Sequence, residues 1–106
     1  MRYYIQYKKS YMTDLNKIYK YIKNGLKEEN IAQKMVQKIM KSLKILEAFP
    51  FAHKLLRKTK NFEYRKFIIK NYIVIYKINL KEKEINILHI YNQKQKIKNK
   101  KEYSHV

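Results

Sequence analysis

The hydrophobic period changes at Pro50, and that change limits the folds open to this chain more than any other feature. Before Pro50, apolar residues recur every three or four positions. After it, they run together in β-branched and aromatic stretches bounded by polar turns. Residues 2–7 (RYYIQY) read as a first strand. Ser10 can cap a following helix, with Asp14 in its first turn. Tyr11, Leu15, Ile18 and Ile22 share one helical face, and Gly25, the only glycine, stands where a C-terminal cap belongs. Asn30 can cap a second helix whose stripe is Ile31, Met35, Ile39, Leu43 and Leu46, stopped by Pro50. Residues 63–69, 72–78 and 84–91 then read as three strands, joined by a tight turn at Lys70-Asn71 and a loop at residues 80–83. The pattern predicts an α+β fold of order β-α-α-β-β-β. A helix hairpin packs on one face of a mostly antiparallel four-stranded sheet. The domain is expected over residues 1–91, with a basic polar tail at residues 92–106.

The middle strand of the meander is apolar on both sides, so its face away from the helices needs a cover of its own. By two-residue alternation, Leu88 and Ile90 face the helices, while Ile87, His89 and Tyr91 face away. This predicts an apolar patch of Ile69, Ile73, Ile75 and Ile87 on the open face, large enough to call for a protein partner.

Charge is the second constraint. The chain has 26 Lys+Arg against eight Asp+Glu, a net charge of +18. A domain this basic is suited to a polyanion, because neutralising phosphates releases counterions. All the cations except Arg2, Arg57 and Arg65 are lysines, and Lys, Ile, Asn and Tyr abound, a profile that AT-rich codons also produce. Few arginines argue against extensive bidentate reading of bases. There are no cysteines, which excludes disulfides and thiolate–zinc sites. No apolar run approaches the ~18 residues needed to span a bilayer, and no secretory signal opens the sequence, so a cytoplasmic protein is expected.

Motifs for metal, phosphate-loop or carboxylate-pair chemistry are missing. His53, His89 and His105 lack ligand spacing, and all eight acids read as solvated. No cofactor or metal is expected. What remains is cationic and aromatic: Lys54, Arg57, Lys58 and Lys60 in a loop after Pro50, Arg65 as the one arginine in the sheet, and His89 and Tyr91 on the last strand.

The arrangement resembles the RelE/ParE superfamily of type II toxin–antitoxin toxins from about Tyr3 to Ile97. The resemblance is carried by Asp14-Leu15, Ile18 and Tyr21-Ile22, and by Leu46 with Phe49-Pro50. It continues through Tyr64-Arg65-Lys66-Phe67, Asn71-Tyr72-Ile73-Val74-Ile75-Tyr76 and Ile87-Leu88-His89-Ile90. It implies the fold above and a growth-arresting toxin neutralised by a cognate antitoxin, with which it forms a hetero-oligomer. RelE-like members cleave ribosome-bound mRNA through attack of the 2′-hydroxyl on the adjacent phosphate. ParE-like members poison DNA gyrase without chemistry of their own. Arg65 matches the family's sheet arginine and Lys54 a loop lysine. Asn92 and Gln93 stand where nuclease members commonly carry His or Arg. That departure, with the Arg65-Lys66-Phe67 to Tyr76 stretch, points to gyrase inhibition. The alternative is an mRNA endoribonuclease using Arg65, His89 and Tyr91. A third reading is an inactive nucleic-acid or ribosome-binding module. Lys54, Arg57, Lys58 and Lys94 are the expected target-binding cations, and Ile69, Ile73, Ile75 and Ile87 the expected antitoxin contacts. No membrane partner is expected.

Overall fold

A computed structural model describes residues 2–25 and 27–95. The order is β1 (Tyr4–Tyr7), α1 (Lys9–Gly25), α2 (Glu29–Lys44), a 3₁₀ turn (Ile45–Glu47), β2 (Lys54–Lys58), β3 (Phe62–Ile69), β4 (Tyr72–Asn79), β5 (Glu84–Asn92) and a second 3₁₀ turn (Gln93–Gln95). The fold is α+β as expected, but the sheet has five strands, in the order β1-β5-β4-β3-β2. Only the β1–β5 pairing is parallel. The added strand is β2, which the sequence presented as a charged loop. It is an edge strand, exposed everywhere except at half-buried Leu56, so burial imposes no alternation on it.

Both helices bury the faces that their periodicity marks. Tyr11, Leu15 and Ile22 of α1 and Ile39 and Leu43 of α2 are buried, and all but Ile22 join one core with Val74, Tyr76, Ile78, Ile85, Ile87 and Ile90 of the sheet. On α2 the buried stripe starts at Ala32, while Ile31 is exposed. Gly25 ends α1 without positive φ, and the left-handed position falls at Lys27. The cap position of α2 is Glu28 rather than Asn30. In the β3–β4 turn it is Lys70, not Asn71, that takes positive φ.

Two features of β5 position the site. First, a bulge shifts the register from Ile75↔His89 to Tyr76↔Ile87, leaving Leu88 as an extra residue. Ile87 therefore joins Ile90 under the helices, while Leu88 packs on the opposite face. Simple alternation had reversed both. Second, β1 pairs with β5 only as far as Ile87, and the start of α1 takes over along the rest of that edge. The Ser10 hydroxyl donates to the Leu88 carbonyl at 2.6 Å, and the Asp14 carboxylate accepts the Ile90 N–H at 3.2 Å. These residues, four apart on one helical face, satisfy strand groups that β1 is too short to reach. Neither has the helix-start role expected from sequence.

The chain does not end its ordered contacts at Tyr91. Asn92 pairs with Tyr72, and the Gln93 N–H donates to the Asn71 carbonyl at 2.7 Å. The rest of the expected tail, residues 96–106, lies outside the described residues.

The buried Tyr76 hydroxyl donates to the Pro50 carbonyl at 2.8 Å. Burial pushes its pKa upward, so it remains a donor throughout the ordinary pH range. Tyr76→Phe should cost about 1–2 kcal/mol, read as a lower urea midpoint at unchanged m-value, because it orphans a buried carbonyl.

Candidate functional site

Cross-strand register defines the sheet face turned away from the helices. β3 contributes Tyr64, Lys66 and Ile68 to it; β4 contributes Ile73, Ile75 and Lys77. From β5 come Asn86, His89 and Tyr91, and from β2 come Lys54 and Arg57. The face is divided. One half is apolar: Ile73, Ile75 and Tyr91 form a small buried cluster packed by Leu56 and Leu88. The other half is cationic and aromatic. Lys77 Nζ sits 4.5 Å from the Phe62 ring centroid and 5.9 Å from that of Tyr64, and Lys54 stands directly opposite Lys66.

This arrangement corrects the expected antitoxin patch. Ile69 and Ile87 lie in the helix-side core, at 5% and 0% exposure. Ile73 and Ile75 do face away from the helices, yet they are only 2% and 0% exposed. Leu56 and Leu88 already cover them, because the bulge in β5 and the register shift in β2 bring both leucines to that side. Ile68 is the large apolar residue that this half leaves exposed.

Arg65 is likewise not on the open face. It lies opposite Tyr76 on the helix side, with its side chain 14% exposed. Its Nε and a terminal nitrogen donate to Glu63 Oε1 at 3.0 and 2.6 Å. The other terminal nitrogen donates to the Phe51 carbonyl at 3.2 Å and to the His53 carbonyl. With the Tyr76–Pro50 bond, this clamps the segment from Pro50 to His53 onto β3 and β4. Glu63 was expected to be solvated; it is buried as the counter-ion of the clamp. His53 stacks on Phe67 at 3.6 Å between centroids, and burial together with the Arg65 guanidinium holds its imidazole below its usual pKa.

The remaining candidates scatter. Lys54 and Arg57 are exposed on the open side. Lys58 turns toward Glu63, with Nζ 4.0 Å from its carboxylate. Lys94 is exposed in the 3₁₀ turn, its N–H bonded to Asn92 Oδ1 at 3.0 Å. Gln93 Nε2 donates to the Lys70 carbonyl at 3.2 Å. Thus Asn92 and Gln93 tie the end of β5 to the chain around it. His89 and Tyr91 do come together, with rings nearly parallel and centroids 5.6 Å apart. His89 Nδ1 lies 2.9 Å from Asp14 Oδ2, the oxygen that also accepts the Ile90 N–H. A carboxylate only accepts, so Nδ1 donates in this pair; Nε2 is then an acceptor in the neutral ring and a second donor in the protonated one. Sequence reasoning missed Asp14 because its partner lies 75 residues away. It also missed Lys66 and Lys77, although counting by twos along β3 and β4 would have found them. Among the described residues, no group of three or more His, Asp or Glu is placed to hold a metal ion.

The fold, with its helix hairpin on one side and basic, aromatic sheet face on the other, is that of the RelE/ParE superfamily of toxins. The family model described as ParE toxin of type II toxin-antitoxin system, parDE, matches residues 5–97, and the chain belongs to that family. The ParDE system structure from P. aeruginosa superimposes with a TM-score of 0.68 at 22% identity, covering 85% of this chain and 95% of that one. The RelE–RelB complex from Pyrococcus horikoshii OT3 gives 0.67 at 20% identity, covering 88% and 97%. A mutant of the E. coli toxin RelE in the free state gives 0.54 at 14% identity, covering 87% and 84%. No curated protein sequence matches the chain. The chain is therefore a type II toxin of the RelE/ParE family.

The clamp makes a prediction of its own. Arg65→Met leaves the buried Glu63 carboxylate with only the more distant, exposed Lys58 and should cost about 3 kcal/mol by urea denaturation. The double variant Arg65→Met/Glu63→Gln should recover much of that loss. A double-variant loss equal to the sum of the losses of Arg65→Met and Glu63→Gln measured singly would show that the pair is not coupled.

Proposed function

We propose that this toxin arrests growth by binding and inhibiting DNA gyrase, without cleaving a bond itself. The observation that carries this reading is the engagement of Arg65. A nuclease needs a cation free to stabilise charge developing on the scissile phosphate. Here the family's sheet arginine directs its donors to Glu63 and two loop carbonyls, on the side of the sheet away from the open face. Asn92 and Gln93 hold the end of β5 in place of the His or Arg of nuclease members. The site residues offered to the target are Lys54, Arg57 and Lys94, with Lys66 and Lys77 added from the open face. The toxin domain on this reading runs past Tyr91, since β5 continues to Asn92 and Gln93 bonds back to the β3–β4 turn, and the protein works in the cytoplasm, where gyrase is. A cognate antitoxin neutralises it. In support, the neighbouring folds from Pyrococcus horikoshii and Mycobacterium tuberculosis are toxin–antitoxin complexes. Among the described residues no helix is long and apolar enough to cross a membrane.

One observation favours ribosome-dependent mRNA cleavage as a second reading. The Asp14–His89 pair presents Nε2 as a base beside Tyr91, and such a pair could take the 2′-hydroxyl proton. His89→Gln and Tyr91→Phe separate the two. Each keeps most of the side-chain bulk while altering proton transfer. With gyrase as the target, both variants should arrest growth nearly as well as the parent when induced without antitoxin. Loss of arrest in Tyr91→Phe, with the fold and antitoxin affinity retained, would move the assignment to mRNA cleavage.

A further inference from the structure

The outer face of α2 carries a run of cations that the site above does not use. Lys34, Lys38 and Lys41 follow one another at four- and three-residue spacing, all exposed. Like charges at that spacing repel and weaken an isolated helix by a few tenths of a kcal/mol per pair. Lys41 lies in the last turn, where the helix dipole favours a cation; Lys34 and Lys38 have no such reason to be there. None of the three makes an ion pair among the described residues. The one acid on α2, Glu29, is at the far end and is taken by Lys23 and Tyr19, at 3.8 and 3.2 Å.

A fourth cation arrives from the other layer. The neighbouring ammonium of Lys70, in the β3–β4 turn, holds the Lys38 ammonium below its usual pKa. Lys70 occupies a left-handed backbone conformation, φ 54°, which costs a residue with a side chain about 1 kcal/mol. Gln93 fixes that turn through the Lys70 and Asn71 carbonyls. The hairpin turn itself calls for that conformation; what the fold accepts without a structural return is the charge repulsion among these lysines.

We propose that Lys34, Lys38, Lys41 and Lys70 form a binding ridge for the phosphate backbone of duplex DNA, on the side of the protein opposite the open sheet face. A membrane surface fits less well. Of the apolar residues of α2, Ala32, Ile39 and Leu43 are buried and Ile31 is the one large exposed side chain of its first turn, so no broad apolar face remains to insert among lipids. The lysines line a straight helix, with about 10 Å of rise from Lys34 to Lys41, and a rigid row of cations suits a rigid row of phosphates. The choice of duplex rests on the gyrase reading, because duplex DNA is what that target holds. The ridge would let the toxin grip DNA and enzyme together.

The test uses the full chain and a labelled mixed-sequence DNA duplex, with affinity measured by fluorescence anisotropy across roughly 50–200 mM salt. Lys34→Gln/Lys38→Gln/Lys41→Gln should fold normally, bind more weakly, and show a log–log salt slope shallower by about 0.9 per lysine removed. Lys81→Gln, exposed in the loop between β4 and β5 at the other end of the sheet from Lys70, should keep the parental slope. An unchanged slope in the folded triple variant overturns the proposal. So does ridge-dependent binding that prefers single-stranded RNA of the same length, or anionic phosphatidylglycerol vesicles, to the duplex. Gyrase is absent from this assay, so its result is separate from that of a gyrase pull-down. Ridge-dependent duplex binding with no gyrase capture supports the ridge and retires only the gyrase reading.

Discussion

The structure depends on burying β4 from both sides. Val74, Tyr76 and Ile78 face the helices at 0% exposure, and Ile73 and Ile75 are almost equally dry on the opposite face. Helices cover one side, as in any two-layer α+β domain. The chain must cover the other with strand residues alone. It does so by breaking regular alternation in both directions across the sheet. The bulge in β5 brings Leu88 over, and the irregularity in β2 brings Leu56. Each departure in register therefore supplies one leucine to close the second cluster. The same bulge leaves His89 and Tyr91 stacked at the rim of that cluster, so core packing and site geometry share one cause.

Polar groups also serve more than one end. β1 is four residues long and leaves the end of β5 unpaired, an edge that would otherwise invite aggregation. Ser10 and Asp14 close that edge from α1, and Asp14 orients His89 with the same oxygen. Arg65 joins β3 to the segment leaving Pro50, with Glu63 balancing its charge. A side chain so engaged is a poor source of transition-state stabilisation, which is why its location bears on function as well as on stability.

The element order and most of the core were legible because burial imprints a period. Tyr11, Leu15, Ile22, Ile39 and Leu43 are where a helical count places them. The second half was readable as strands for the same reason. β2 was not legible, because an exposed edge strand leaves no period to detect. Ile87 and Leu88 were assigned to the wrong faces, since a bulge shifts alternation by one residue and carries no local signal here. His89 and Tyr91 were placed on one face by two-residue alternation, and their rings do stack there. The engagement of Arg65 was not legible, because Glu63, two residues away on the same side of β3, reads as a solvated acid and the loop carbonyls lie 12 and 14 residues back. Family membership was visible as an ordered set of weak motifs, and the family match over residues 5–97 agrees with it.

The central claim is that this toxin inhibits by occupying its target. The most direct measurement is supercoiling of relaxed plasmid by purified gyrase in the presence of the full-length toxin, beside a translating-ribosome reaction probed for new mRNA 5′ ends. The account predicts dose-dependent loss of supercoiling, reversed by the antitoxin, with mRNA left intact. Ribosome-dependent cleavage of the message, with supercoiling untouched, would contradict it.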